Sequence, residues 1–152
     1  MDELRTQGDI TVTQYIVIKI GDEQYGINIS YVDNIVRMQH ITRVPKVPTH
    51  LKGVINLRGI VVPVMSLRLK MGLPEDELTK NTRIIILKVD SNGAIGIIVD
   101  EVKEVVTLDS TQIEKVTQDN LSDHVNFVSN VGKYGNELIS ILDLNAVIGE
   151  KE

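Results

Sequence analysis

The sequence predicts an all-β protein, mainly strands with short helices, built as two small barrels packed side by side. Three observations predict it. Apolar residues make up 42% of the chain and aromatic residues only 3%, so a core must be Val, Ile and Leu, and β-branched residues favour strands. Apolar and polar residues alternate at period two in several short runs. The plan of the first half also returns in the second.

The elements follow in order. Residues 1–11 carry no apolar pattern and are expected to form a flexible tail. In "YIVIKIGDEQYGINI", Ile16, Ile18 and Ile20 share one face, Ile27 and Ile29 share another, and "GDEQ" between them signals a hairpin. "TRVPKVPTH" holds two prolines and reads as a loop or edge segment. "GVINLRGIVVPVM" reads as a second hairpin turning near Asn56–Gly59, and Pro63 demotes its second strand to an edge or a bulge. "SLRLKMG" predicts a short helix capped by Ser66 and closed by Gly72.

The second half restates this plan. "GINISYVDNIV" (26–36) aligns with "GIIVDEVKEVV" (96–106), pairing Gly26 with Gly96, Val32 with Val102 and Val36 with Val106. "YIVIKI" (15–20) aligns with "IIILKV" (84–89), and "PVMSLRLKMG" (63–72) with "SILDLNAVIG" (140–149). Three matched blocks in one order predict a structural repeat. Units of half this length make poor cores alone, so the two are expected to share an apolar seam. Short strands manage their edges best by closing into barrels. The expected division is a first barrel over 12–78 and a second over 79–152, the latter ending in a short helix.

Composition and motifs exclude several functions. There is no cysteine, so disulfides and thiolate metal sites are ruled out. His40, His50 and His124 are scattered and form no helical metal-binding pair. No G-x-S-x-G, H-E-x-x-H or P-loop occurs, and the acidic turns lack the ligand spacing of a calcium loop. No enzyme, cofactor or metal is expected. The N-terminus is not a signal peptide, and no apolar run has the length of a membrane helix, so a cytoplasmic protein is expected. A net charge of −5 and few aromatics argue against a nucleic-acid-binding barrel.

One pattern is left over. After Ile29 the strand period breaks, and Val32 and Ile35 follow at spacing three. Val99, Val102 and Val105 do the same in the second half. A one-turn helical step would produce this spacing. Such residues either fill the seam between barrels or line an exposed groove, and an exposed apolar patch marks a partner.

The blocks "GDEQYGINISYVDNIV", "ITRVPKVPTHLKGVINLRGIVVPVMSLRLKMG" and "GIIVDEVKEVVTL" resemble the bacterial chemotaxis coupling (adaptor) family, CheW, from about Gln14 to Gly149. The "KGVINLRG" block followed by "VVPVMSLR" is the specific part. The resemblance implies two SH3-like five-stranded barrels and no catalysis. It implies an adaptor that couples transmembrane methyl-accepting chemoreceptors to the histidine kinase CheA, in signalling arrays where kinase regulatory domains and adaptors form mixed rings. It also implies a protein that is monomeric when free and recruited from the cytoplasm to those arrays. An adaptor of a paralogous receptor pathway, or a detached kinase regulatory domain, would read almost the same. The chain closes after "DLNAVIG" with no ATP-binding domain, which favours the adaptor.

Site expectations follow from both lines. Receptor binding is expected in the inter-barrel groove, at Val32, Ile35, Val99 and Val102 with Arg58 near its rim. The family associates Arg58 with receptor coupling, while a role pinning the turn to the other barrel is equally open. Kinase binding is expected around Met38, Ile41 and Val44, apolar residues in and before a proline-containing loop. A second ring contact would fall in "TQIEKVTQDNLSDHVNF", whose polar character leaves it unassigned.

Overall fold

A computed structural model describes residues 10–89, 93–115 and 127–148. The strands are β1 (Val12–Ile20), β2 (Glu23–Asn28), β3 (Val32–Arg37), β4 (Leu51–Leu57), β5 (Ile60–Ser66), β6 (Arg83–Lys88), β7 (Ala94–Val99), β8 (Glu101–Asp109), β9 (Ile113–Lys115), β10 (Val128–Tyr134) and β11 (Glu137–Leu142), with short helices α1 (Leu67–Lys70) and α2 (Leu144–Ile148). The all-β expectation holds. No helix among the described residues is long and apolar enough to cross a membrane.

The strands form two sheets, ordered β8-β1-β2-β11-β10-β9 and β3-β6-β7-β5-β4. Each curls toward closure. In the five-stranded sheet, the segment after β3 returns to β4 through a two-way bridge in which Thr42 N donates to Val54 O and Val54 N to Thr42 O, both at 2.8 Å. In the six-stranded sheet, β9 follows β8 by one 3-10 turn and pairs with β10 on the far edge.

The repeat is real at the level of register. Val17 pairs with Gly26 as Ile86 pairs with Gly96, and both pairs are aligned mates. Gly26 lies beside Ile141 and Gly96 beside Val64, again mates, and both of these ladders are parallel. Val36 pairs with Ile84 as Val106 pairs with Tyr15. Each glycine sits where side chains from neighbouring strands converge on the barrel interior.

The division at residue 78 does not hold for the sheets. Hairpin β1–β2 lies with β8–β11, while hairpin β6–β7 lies with β3–β5. Each half gives its hairpin to one sheet and its remaining strands to the other. The link from β7 to β8 is the single residue Asp100, too short for the two-residue turn of a tight hairpin, so β8 leaves the sheet and pairs with β1.

Three apolar clusters result. Tyr15, Val17, Val106, Leu108, Ile139 and Ile141 fill one barrel. Ile55, Val62, Val64, Ile84, Ile86 and Ile98 fill the other. Between the sheets lies the largest cluster, including Ile16, Ile18, Ile27, Met65, Leu67, Ile85, Leu87, Ile97, Val99, Leu142 and Leu144. Along β1 and β6, alternate residues serve a barrel interior and the shared seam. Both faces are buried, and the strands are therefore almost wholly apolar.

The caps are as expected. Ser66 Oγ accepts from Leu69 N at 3.1 Å, and Gly72 closes α1 at φ +79°. Asp143, the mate of Ser66, accepts from Asn145 N at 3.1 Å. Pro63 is not on an edge strand, since β5 lies between β7 and β4. Its missing N–H is tolerated because the ladder to β7 begins only at Val64. Of the expected tail, residues 1–9 lie outside the described residues, while Thr11 is already bonded to Ser110. The ring-contact segment falls largely on 116–126, also outside them.

Candidate docking surfaces

The break in period after Ile29 is a one-turn helical step, the 3-10 turn Ile29–Tyr31, whereas the spacing of three from Val32 to Ile35 and from Val102 to Val105 is a β-bulge. Register on β3 slips between Val32 and Asn34, leaving Asp33 extra. Register on β8 slips between Val102 and Glu104, leaving Lys103 extra. The bulge returns the next residues to the outer face. Val32 therefore pairs with Leu87 and Ile35 with Ile85, both seam residues. Val102 pairs with Ile18 and Val105 with Ile16, also seam residues. The two strands extend the seam to its rims.

The expected groove residues separate by burial. Val99 has 0% exposure and belongs to the seam core, so it lines no open groove. Strand β7 is interior to its sheet and the other sheet covers it, which the sequence pattern alone does not reveal. Val32 and Val102 are half-buried against the same core. Ile35 is 36% exposed and its mate Val105 48%. The period of the sequence singled out Val105, but the set of expected site residues omitted it. β3 and β8 are end strands of different sheets, so the mates occupy separate rims and not one wall facing another.

Arg58 stands elsewhere. It and Gly59 form the two-residue turn between Leu57 and Ile60, with φ of +53° and +86°, the pattern of a type I′ turn. Asn56 Oδ1 accepts from Gly59 N at 2.9 Å and fixes the turn, which answers why Asn56 precedes it. Arg58 is exposed and makes no hydrogen bond or ion pair with a described residue, so it does not pin the turn to the other barrel. The hairpin base packs into the barrel interior through Leu57, in the cluster that also takes Met38 and Ile41. Ile60 and Val61 beside it are 64% and 63% exposed. Both lie in a strand as the sequence predicts, paired with Leu57 and Asn56; no period marks them as exposed, because the run from Ile60 to Val62 is apolar at every position.

Gly53 has a separate duty. A Cβ there would lie 2.1 Å from the Thr42 carbonyl oxygen, so only glycine allows the closing bridge of this barrel.

Met38 and Ile41 face the barrel interior as partly buried residues. Val44 is exposed, on a loop that walls a shallow groove with Pro45, Val47, Leu51 and Leu69. Arg43, Lys46 and Lys52 stand on its rim. Lys52 pairs with Glu75, whose carboxyl the bond and charge of Lys52 hold below the ordinary range.

No group of three or more His, Asp or Glu among the described residues is placed to hold a metal. One polar site, at Asp100, is structural. Asp100 accepts from Arg68 Nε at 3.0 Å, from Arg68 Nη2 at 2.7 Å and from Gly21 N at 2.7 Å.

Comparison with known proteins agrees with this geometry. A family model described as a CheW-like domain matches residues 14–152. The chemotaxis protein CheW of Bacillus subtilis is 38% identical over 141 residues, covering 93% of this chain and 90% of that protein. That of Helicobacter pylori is 37% identical over 137 residues, covering 90% and 82%. The crystal structure of scaffolding protein TtCheW from Thermoanaerobacter tengcongensis superposes with a TM-score of 0.82 at 31% identity, covering 90% of this chain and 92% of that one.

Proposed function

Since the chain belongs to the CheW family, we propose that it is a non-catalytic adaptor coupling methyl-accepting chemoreceptors to the histidine kinase CheA, with each partner on its own face. It acts in the cytoplasm and joins receptor arrays at the membrane. The observation that carries this reading is Arg58. A non-glycine residue in the left-handed region costs on the order of 1 kcal/mol. Here that residue has no partner within the described chain and stands beside two exposed apolar residues. The type I′ turn accounts for the backbone of Arg58, whereas nothing in the described fold uses its guanidinium, and a role in binding accounts for that charge beside two exposed apolar residues.

The receptor tip, a helical hairpin, docks on the β3 rim of the seam through Val32 and Ile35, with Val102 on the separate β8 rim and Arg58, on the β4–β5 turn, as a charged contact of its own. Val99 acts only through the packing beneath that rim. The kinase regulatory domain docks on the loop of Val44, where Met38 and Ile41 hold the loop base and the cationic rim of Arg43, Lys46 and Lys52 steers an acidic counterpart.

An NMR titration of labelled protein tests this, adding a receptor hairpin fragment first and the CheA regulatory domain second. Two distinct perturbed surfaces are expected. Arg58→Ala should weaken receptor binding roughly tenfold, about 1.4 kcal/mol, and leave kinase binding unchanged. Val44→Asp should do the reverse. A single surface perturbed by both partners, or equal losses for both in each variant, would sink the assignment.

A further inference from the structure

The groove beside the Val44 loop is cationic in a chain whose net charge is −5. Arg43, Lys46 and Lys52 line it, and Glu75 is the one acidic residue among the described lining. Lys46 lies in the left-handed region at φ +62°, directly after Pro45, a place in a turn that favours glycine. The turn itself does not call for a cation there. Arg43 and Lys46 form no ion pair with a described residue. Val44 is exposed, and Pro45, Val47 and Leu69 add apolar wall. A segment that fits carries carboxylates with aliphatic side chains between them.

Glu75 reaches this groove from the segment that follows α1. That segment is held on both sides of it. Leu73 N donates to Arg68 O at 2.8 Å, and the Leu73 side chain packs on the seam core. Asp76 accepts from the hydroxyl of Ser66, a fully buried residue, at 2.6 Å. Between these anchors the Glu75 carboxylate accepts from Lys52 Nζ, and the charge of Arg43 also bears on it. A carboxylate of the chain itself therefore sits where a partner's would go. The Glu75 side chain is 62% exposed, and an ion pair so open to water adds little to the fold and separates readily.

We propose that Glu75 is an internal stand-in for a partner carboxylate: the groove receives an acidic segment bearing aliphatic residues, and Glu75 must leave Lys52 before that segment is seated. The identity of the partner rests on the kinase docking proposed above; the competition at Lys52 does not. Because Leu73 and Asp76 stay anchored, release needs only the rotation of one side chain. The competitor lowers affinity by a small, constant factor. It also rejects segments without a carboxylate at the Lys52 position, since these cannot replace the bond that Glu75 gives up.

A synthetic peptide alternating glutamate and leucine, titrated at low salt into the labelled full-length protein and followed by NMR, tests this, with a glutamine–leucine peptide as control. Shifts at Val44, Lys46 and Lys52 are expected with the acidic peptide only. Glu75→Gln should tighten its binding roughly threefold, and Lys52→Gln should weaken it by a similar factor. Glu77→Gln removes the same charge from an exposed residue outside the groove and should change nothing. Affinity unchanged in Glu75→Gln, or raised equally in Glu77→Gln, would overturn the competition. No shifts in the groove for either wild type or Glu75→Gln would overturn the acidic occupant. The CheA regulatory domain is titrated in parallel. If Glu75→Gln tightens the peptide while CheA binding ignores both Glu75→Gln and Val44→Asp, the competition stands and only the kinase docking falls.

Discussion

Gly26 and Gly96 hold the same place in the two barrels, yet their surroundings differ. A Cβ on Gly26 would stop 3.1 Å from Ile139 Cγ2, whereas one on Gly96 would stop 2.7 Å from Ile84 Cγ2. The barrel with Tyr15 at its wall leaves slightly more room than the one with Ile84 there. The ends of the seam differ more, with an ion pair at Arg68–Asp100 and only Asn145 and Ser30 at the mate positions. Interior positions are constrained on every side by close packing, and mates there remain similar in kind. Seam ends touch solvent, and there one half has acquired a clamp that the other lacks. The pseudo-symmetry is thus closer inside the barrels than at their joint.

The sharpest way to break this comparison is Gly53→Ala. With φ +146° and a backbone oxygen 2.1 Å from the new Cβ, it should cost roughly 4 kcal/mol. Asn130 holds the same place in the other barrel, since it pairs with Ile141 after a register shift as Gly53 pairs with the mate Val64, and Asn130→Ala should stay within about 1 kcal/mol. Urea denaturation measures both, and similar losses would mean that the two barrel closures are equivalent after all.

Gly96→Ala should follow at about 2–3 kcal/mol by overpacking, against about 1 kcal/mol or less for Gly26→Ala, where the neighbour must yield only a few tenths of an ångström. The reverse order in thermal melts would contradict the packing difference between the interiors. Next come Val99 and its mate Ile29. Val99→Ala removes fully buried methyl groups and should cost about 1.5–2 kcal/mol, while Ile29→Ala, in an exposed 3-10 turn, should cost no more than about 0.5 kcal/mol. Near-equal costs would place Val99 back on an open surface.

The smallest effects concern pH, and they contrast two carboxylates near one arginine. Burial alone would raise Asp100, but the bonds from Arg68 and Gly21 outweigh it and hold the carboxyl below its ordinary range. Its folded-state pKa is depressed, so its contribution is present at neutral pH and fades as pH falls through the acidic range below the ordinary carboxylate value. Asp76 is raised, chiefly by burial, with a bond from Ser66 Oγ at 2.6 Å only partly offsetting it. The folded state holds that proton more tightly than the unfolded chain does, so stability falls as pH rises from the ordinary carboxylate value through the raised one. Asp76→Asn keeps an acceptor for Ser66 and should flatten that decline, leaving neutral-pH stability within about 0.5 kcal/mol of wild type or above it. Asp100→Asn should instead remove part of the acid limb. Denaturation midpoints across pH distinguish the two, and an unchanged profile in both variants would show that neither environment is as described.

The sequence by itself determined the local structure. Alternating β-branched residues gave the strands, Ser66 and Asp143 gave the helix caps, Gly21 and Gly59 marked turns, and three aligned blocks gave the repeat down to the pairing of Gly26 with Gly96. These are short-range signals, fixed by backbone sterics and by which face a residue presents. Tertiary structure alone decided three other things. It sent each half's hairpin to the opposite sheet, since both hairpins carry the same apolar period and only the one-residue link at Asp100 forbids a simple meander. It turned the spacing of Val32 and Ile35 into a bulge, because an extra strand residue and a helical step leave the same mark in sequence. And it buried Val99 while leaving Ile35, Val105 and Val61 at the surface, because a strand's period tells which residues share a face and not whether another sheet covers it.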